Sequence, residues 1–409
     1  MLTNIISAMG NNSSIYPLLI RDCGIENAAK VILTYKQNAK ESKTIARHAA
    51  RERFIDEYGT SAVWLGGIPF IEKICNKIIN KRGFSADTSI KLLKETTEQG
   101  LEYNINKFKD IAPKSVENLI KIKNNKELFK KIAGVKFLAT TLIPIGLMGY
   151  VLPKLNFKYT KEKRKKELKT KRETNYAQKM FETFDSFYKS QDKKEVSFKG
   201  LSTLADLSTL SKMKILDGGL TVGRVGTGRN FGEKAEMGFK MGGMYYLNYK
   251  APKTIEKFLN SITKAIFNIN VNLDPKILKD KELISCPEKL ILPEKDLLLY
   301  IDNNPKSMFS KLAERTGIIE RLKTGTRNPE KYVDIKKLEE LKNNLFEYTS
   351  SLKKSANPKK LVQKAFAAKS FNIVTNILLS SFLLAGMLPK AQFLFRKFIT
   401  GSDLEPGIK

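Results

Sequence analysis

The side chains that most often carry metal or nucleophilic chemistry are scarce in this chain. His48 is the only histidine, and Cys23, Cys75 and Cys286 lie far apart, without a CxxC pair. Zinc sites and disulfide frameworks require several such residues at short spacings, and a nucleophile–histidine triad requires a histidine. No spacing singles out two of the 42 acidic residues as a general acid and base. We expect no metal and no cofactor, and the sequence favours a non-enzymatic protein.

The glycine-rich stretch at 217–243 is the best candidate for a nucleotide site. Its central glycines are Gly226, Gly228 and Gly232. They read GxGxxxG, one residue longer than the dinucleotide fingerprint, and no strand–helix–strand unit with an acidic residue about 20 positions on is evident. The favoured interpretation is a flexible loop in which Arg224 and Arg229 are free to bind phosphate groups.

A dense basic run forms a second candidate for phosphate binding. Residues 154–172 hold ten Lys or Arg against two Glu. The core of the run carries Lys161, Lys163, Arg164, Lys165 and Lys166. Basic residues next to an apolar span attract anionic lipid headgroups by roughly 1 kcal/mol each. We therefore predict that these side chains bind lipid phosphates, although a solvated helix face is the commoner role of such a run.

Residues 310–322 resemble the first helix and turn of a helix-turn-helix. Ala313 would allow the close approach of two helices, and Gly317 would take the turn conformation. The resemblance then fails, because Lys323 and Thr326 stand where a second helix should be apolar. A solvated helical hairpin is favoured, and nucleic-acid binding by this segment is kept as the alternative.

Two strongly apolar stretches indicate whether these elements lie in a membrane or in water. Residues 132–152 contain one charge, Lys136, and residues 371–388 contain none. A helix of about 20 residues spans roughly 30 Å, the thickness of a hydrocarbon core. Basic residues flank both stretches, as they do in membrane spans. The sequence therefore predicts two transmembrane helices, and a buried helix in a soluble core is the alternative for either.

The net charge is +31, from 73 basic and 42 acidic residues. A surplus of this size repels itself and is usually balanced by an acidic partner. We predict that the partner is an anionic lipid membrane, with nucleic acid or an acidic protein as the other hypotheses. The first basic residue is Arg21, so we expect no cleaved secretory signal.

Short matches in a shared order suggest an internal repeat. Leu152-Pro153-Lys154 with Phe157 matches Leu388-Pro389-Lys390 with Phe393, and Ile71-Glu72-Lys73 with Asn76 matches Ile255-Glu256-Lys257 with Asn260. Each match is short, and the chain is rich in lysine and isoleucine, so only the shared order supports homology. The hypothesis is a duplicated unit that combines a proline-headed amphipathic helix, a spacer and one apolar span.

The sequence thus predicts a mostly α, membrane-associated helical protein with two transmembrane helices and an internal duplication. Its parts are an irregular N-terminus at 1–25, a helical unit with the first span at 26–160, a basic helical linker at 161–214, a glycine-rich loop with a second helical unit at 215–400, and a tail at 401–409. We predict a non-enzymatic integral membrane protein with a basic lipid-facing surface, acting as a scaffold or in membrane remodelling. The expected location is the inner or plasma membrane of a bacterium. The alternative is a membrane-tethered nucleic-acid-binding protein that uses residues 310–322.

Overall fold

Helices dominate the computed structural model, which describes residues 2–10, 17, 19–170, 207, 209–267 and 271–401. For Lys166 the description covers the backbone alone. Among these residues there is no strand, and the single isolated β-bridge joins Arg321 to Arg327. Most of the predicted basic linker and the predicted tail lie outside the described residues. The prediction of a mostly helical protein is confirmed.

The first half of the chain ends in a long helix that contains the first apolar stretch. Its helices are α1 (Leu2–Gly10), α2 (Asn27–Ala39), α3 (Lys43–Ala62), α4 (Ile68–Lys81), α5 (Leu101–Phe108), α6 (Pro113–Asn124), α7 (Lys126–Gly146) and α8 (Leu152–Thr170). A π-helical turn at Val63–Gly67 joins α3 to α4, and another at Leu147–Val151 joins α7 to α8. The predicted irregular N-terminus is wrong for α1 and for the π-helix Leu19–Glu26, because Leu2–Gly10 packs on residues of the second half.

The second half follows the same order of long helices. Its helices are α9 (Thr209–Thr227), α10 (Phe231–Tyr249), α11 (Ala251–Phe267), α12 (Pro275–Leu278), α13 (Lys281–Ser285), α14 (Leu297–Asn303), α15 (Met308–Arg315), α16 (Ile335–Lys354), α17 (Pro358–Phe382) and α18 (Leu388–Thr400). A π-helical turn at Leu383–Met387 joins α17 to α18. In both halves the Leu-Pro-Lys triplet begins the helix that follows the π-helical turn. Proline is tolerated there because the first turn of a helix leaves its backbone N–H groups without partners.

Two helices of the described chain are long and apolar enough to cross a membrane, Lys126–Lys165 and Pro358–Thr400. Only 28% and 44% of their most apolar windows are buried. The outward faces carry large apolar side chains, whereas several of the buried positions are polar. In Pro358–Thr400 the exposed apolar residues include Phe371, Val374, Leu378, Phe382, Leu394 and Phe398. The buried ones include Lys369, Asn372, Asn376, Ser380 and Ser381.

A spacer domain, formed by residues 79–124 and 271–354, holds the beginnings of both long helices. Phe129 packs with Ile79 and Ile122 in one apolar cluster of this domain, and Val362 packs with Leu345 in the other. Ser85 and Asn118 both donate hydrogen bonds to the carboxylate of Glu330, at 2.9 and 3.0 Å, which ties the two parts together. Both long helices therefore leave the same domain and run in the same direction.

The helices that precede each spacer return alongside the long helices in the opposite direction. A methyl group added to Gly59 would lie 2.9 Å from Leu152, and Glu72 is 3.6 Å from Lys136. In the second half, a methyl group on Gly243 would lie 2.5 Å from Leu388, and Glu256 is 3.1 Å from Lys369. The chain therefore passes back towards the spacer domain at 59–72 and again at 243–256.

The glycine-rich stretch is helical, so the prediction of a flexible loop there is wrong. It forms most of α9 and the first half of α10, with a short connection at Gly228–Asn230. A methyl group on Gly223 would lie 3.0 Å from the Cα of Gly149 in the first apolar helix. Glycine lowers helix propensity, but it also allows two helix backbones to approach closely. Here the tertiary contact outweighs the local preference for a loop.

The second helix required by a helix-turn-helix is absent from the described chain at 318–334. α15 ends at Arg315, and Gly317 takes the expected left-handed turn with φ of +72°. The following residues form turns and the bridge between Arg321 and Arg327. Arg327 is instead held inside the spacer domain by Asp302 at 2.8 Å and by Asn104 at 3.1 Å. The segment is a structural part of that domain, and the helix-turn-helix interpretation is wrong.

Candidate functional site

Charged side chains are buried where two helical hairpins face each other. One hairpin consists of α2 and α3, and the other of α9 and α10. Their facing side chains form a seam, by which we mean Glu26, Lys30, Glu52, Arg53, Asp56, Glu57, Asp217, Arg224, Arg229, Glu233, Glu236 and Lys240. Burial of an ionised group costs several kcal/mol unless an opposite charge and hydrogen bonds compensate it. The pairing of these charges is therefore the first property of the seam to establish.

Glu57 lies at the centre of one group of ion pairs. Its carboxylate accepts a hydrogen bond from the ammonium group of Lys240 at 2.6 Å, and Lys30 approaches it at 3.4 Å. Arg53 of the same helix is 3.6 Å away, and Lys30 also pairs with Glu26. Because Glu57 belongs to α3 and Lys240 to α10, this pair connects the two hairpins directly.

Arg224 makes the second connection. Its guanidinium donates to Asp56 at 2.7 Å and to the hydroxyl of Thr60 at 2.6 Å. The side chain is only 4% exposed. The flexible setting predicted for Arg224 is thus replaced by a buried and paired one, because α9 carries it into the seam.

The far end of the seam reaches the helix that follows the second apolar stretch. The guanidinium of Arg396 donates to Glu236 at 2.8 Å, and Gln392 donates to the same carboxylate. On the other half, the amide of Asn156 donates to the backbone oxygen of Glu52 at 2.8 Å. Both α8 and α18 are therefore fixed to the hairpins by polar contacts.

Two cavities lie on opposite sides of the pairs made by Glu57 and Asp56. The spacer-side cavity, of about 100 Å³, is lined by Glu57, Thr60, Trp64, Asp217, Arg224 and Tyr249 among others. The far-side cavity, of about 60 Å³, is lined by Glu52, Asp56, Asn156, Arg224, Glu236 and Lys240 among others. α3 continues through the π-helical turn to the spacer domain, so its later residues are nearer that domain. The two cavities are thus stacked along the long helices, and Arg224 lines both.

The seven side chains predicted to bind phosphate fall into two places. Lys161, Lys163 and Lys165 are exposed on α8, Arg164 is half-buried beside them, and the side chain of Lys166 lies outside the described residues. Arg224 and Arg229 lie in the seam instead. Arg229 donates to Glu233 at 2.8 Å and lies 3.5 Å from Glu52. Phosphate binding by any of these residues stays a prediction.

The sequence interpretation missed the acidic partners in the seam. Glu52, Asp56 and Glu57 occupy a polar helix that resembles many solvated ones, and their basic partners on the other hairpin lie more than 160 positions away. One signal was present, since Lys240 and Glu236 occur in a stretch rich in Gly, Met and Tyr. Charged residues in such a stretch usually pair with one another.

Other polar groups of the described chain serve the spacer domain. The hydroxyl of Tyr348 donates to the backbone oxygen of Leu278 at 2.9 Å, and burial raises the pKa of this phenol. No group of three His, Cys, Asp or Glu residues in the described part of the chain is arranged to hold a metal ion. The seam is therefore the best candidate for a functional site.

No protein-family model, no curated protein and no solved structure matches this chain.

The buried pair of Arg396 and Glu236 should matter far more for stability than an exposed pair. We expect Arg396→Met to lower the free energy of unfolding by about 3–5 kcal/mol, because it leaves the Glu236 carboxylate buried without its main partner. The matched control is Lys264→Met, which removes an exposed pair with Glu347. That change should cost at most about 1 kcal/mol. The measurement is denaturant unfolding of the purified variants, and equal losses in both would contradict the assignment of a stabilising role to the seam.

Proposed function

We propose that this chain is an integral membrane protein whose two long apolar helices face lipid. The observation that carries the proposal is the distribution of side chains on Pro358–Thr400, with large apolar residues outside and Asn, Ser and Lys inside. A soluble protein buries its apolar side chains and exposes its polar ones, whereas lipid reverses the cost of both. The buried amides are paired, since Asn372 donates to Thr263 at 2.9 Å and Asn376 donates to the backbone of Pro252 at 3.0 Å.

Lys126–Lys165 also has apolar side chains on its outside and polar ones on its inside. Its exposed side chains include Val135, Leu142, Ile143, Leu155 and Tyr159. Its buried ones include Thr141, Asn156 and Thr160. The proline-headed helices α4 and α11 add exposed apolar residues near the spacer domain, such as Phe70 and Phe258. They would lie at the spacer-side membrane surface, with both long helices crossing in the same direction.

We further propose that the two halves are tandem repeats. Gly59 and Gly243 pack on the leucines of the two Leu-Pro-Lys triplets, and Glu72 and Glu256 pair with lysines of the long helices. Glu52 and Glu236 both accept a hydrogen bond from the amide three positions after the proline, Glu52 through its backbone oxygen and Glu236 through its carboxylate. The two members of each pair, Gly59 and Gly243, Glu72 and Glu256, and Glu52 and Glu236, lie the same number of positions apart in the sequence. A chance resemblance would not require this equal spacing. Parallel repeats related by an axis along the membrane normal occur in other membrane proteins.

The basic run is proposed to bind anionic lipid headgroups on the far side. Lys161 lies nine residues beyond Leu152, or about 14 Å along a helix, where headgroups replace hydrocarbon. Its neighbours Lys163 and Lys165 are exposed, so an acidic surface has access to them. This arrangement supports a scaffold or membrane-remodelling role, in which the protein gathers anionic lipid.

A lipid-facing position should reject a charge that a water-facing position accepts. Leu378 is 60% exposed on the second long helix, and Phe346 is 63% exposed on α16 of the spacer domain. We expect Leu378→Arg to lower the fraction of protein that resists alkaline carbonate extraction, because arginine costs about 2.5–3.5 kcal/mol at mid-membrane. Phe346→Arg should leave that fraction unchanged. Complete extraction of the unmodified protein, or equal behaviour of the two variants, would contradict membrane insertion.

Lipid binding by the basic run can be tested on the full chain. The test variant replaces the five residues of the basic run by Gln, namely Lys161, Lys163, Arg164, Lys165 and Lys166. The control variant replaces five exposed lysines of the spacer domain by Gln, namely Lys281, Lys289, Lys295, Lys336 and Lys337. After equilibration in mixed micelles, we expect the first variant alone to retain less anionic lipid. The loss should shrink at high salt, since the Debye length falls from roughly 8 Å at physiological salt to about 3 Å at 1 M. Equal retention by both variants, or displacement of the lipid by DNA at physiological salt, would contradict the proposed partner.

A further inference from the structure

The ion pair between Glu57 and Lys240 has its two ends in different cavities. Glu57 lines the spacer-side cavity, and Lys240 lines the far-side cavity. The two charged groups are 2.6 Å apart. Both side chains are at least nine-tenths buried. A proton that moves along this hydrogen bond therefore passes from one cavity to the other.

The position of this ion pair relative to the apolar helices indicates the direction in which the proton would move along them. Gly59 packs on Leu152 and Gly243 packs on Leu388, at the far-side ends of the two apolar stretches. Glu57 and Lys240 lie within one helical turn of these glycines. The spacer-side cavity therefore lies beside the two apolar stretches, and the far-side cavity lies nearer the basic run.

Both cavities contain polar atoms that have no hydrogen-bond partner within the described part of the chain. The Nε of Arg224, which lines both cavities, and the Oδ1 of Asn156, which lines the far-side cavity, are buried without a hydrogen-bond partner. Buried polar atoms of this kind are usually satisfied by ordered water, and each cavity has room for at least one water molecule. Water in both cavities would connect the ion pair to the carboxylates on either side.

We propose that the seam is a proton pathway across the membrane, with Lys240 and Glu57 as its central relay. This proposal rests on the proposed membrane insertion. In the central step the Nζ–H bond of Lys240 breaks and an O–H bond forms on Glu57. Lysinium and carboxylate become neutral amine and carboxylic acid, so the total charge is unchanged. Asp217 then accepts the proton through water in the spacer-side cavity, and a proton from the far-side cavity restores Lys240. Asp217 regains its charge by releasing the proton towards a third cavity nearer the spacer domain, lined by Arg21, Glu256 and Asn376 among others.

The proton is the ligand that the chemistry of the seam favours. The charged groups that face the relay come from the π-helix Leu19–Glu26 and from α2, α3 and α9, namely Glu26, Lys30, Arg53, Asp56, Asp217 and Arg224. Positive and negative groups are balanced among these six, so the immediate surroundings of the relay offer no net attraction for a metal cation or an anion. Carboxylates lie on both sides of the relay, and intramembrane ionisable side chains of this kind form proton relays in pumps and transporters.

The test is proton flux into proteoliposomes that contain a trapped pH-sensitive dye, driven by a potassium gradient and valinomycin. The decisive variant is Lys240→Arg, because a guanidinium keeps the charge and the ion pair but does not release its proton. We expect the unmodified protein to conduct protons and Lys240→Arg to fall to the level of protein-free liposomes. The matched control, Lys264→Arg in the exposed pair with Glu347, should conduct as the unmodified protein does.

A second variant distinguishes loss of the relay from loss of the folded structure. Exchange of the pair, Glu57→Lys with Lys240→Glu, keeps one proton donor and one acceptor, so we expect flux to remain above the protein-free level. Carbonate resistance is measured on the same proteoliposomes. Protein that resists carbonate but does not conduct, or Lys240→Arg that conducts like the unmodified chain, would overturn the relay while leaving membrane insertion intact. Protein that carbonate extracts would overturn both.

Discussion

The requirement that every buried charge meets an opposite charge determines how the two halves of this chain fit together. Glu57 and Asp56 belong to one hairpin, and Lys240 and Arg224 belong to the other. The charged residues of one hairpin could not be buried without those of the other, because an uncompensated charge in a protein interior costs several kcal/mol. The hairpins must therefore dock in one register. Since α8 and α18 are held to these hairpins by Asn156 and Arg396, the position of both long helices follows from the same constraint.

The outer surface follows from the polar seam. When charges, amides and hydroxyls occupy the interior, the apolar side chains of the long helices are left to face outwards. Phe371, Leu378 and Phe382 illustrate this on one helix, while Asn372, Asn376 and Ser380 of the same helix point inwards. In water, both the apolar outer face and the polar inner face would be unfavourable, whereas a hydrocarbon environment would make both favourable.

The glycines allow this architecture to be compact. Gly149 and Gly223 bring two helix backbones into contact, and Gly59 and Gly243 each leave a site for a leucine. These positions also explain why sequence interpretation failed at the glycine-rich stretch. Propensity correctly assigns a cost to glycine in an isolated helix, but it does not include the packing energy gained from a partner more than 60 residues away. The partner at Gly149 is evident only after folding.

Other features were accessible from the sequence because they depend on local chemistry. The length of 371–388, which has no charge, and of 132–152, which has only Lys136, was enough to predict two long apolar helices. Gly317 was correctly assigned a turn, since φ is positive there. The helix expected after it did not form, because Arg327 is drawn into the spacer domain by Asp302. The ion pairs of the seam also depend on long-range docking, and no periodicity indicates which of the 42 acidic residues pair with which bases.

The most direct measurement of the central claim is the depth of a fluorescent side chain in a bilayer. Trp64 is the only tryptophan, so Trp64→Phe provides a silent background in which Phe382→Trp reports on an exposed site of the second long helix. Phe346→Trp in the same background reports on an exposed site of the spacer domain. The account predicts strong quenching of the first by lipids brominated in mid-chain, and none of the second. Absence of quenching at position 382 in reconstituted, folded protein would contradict it.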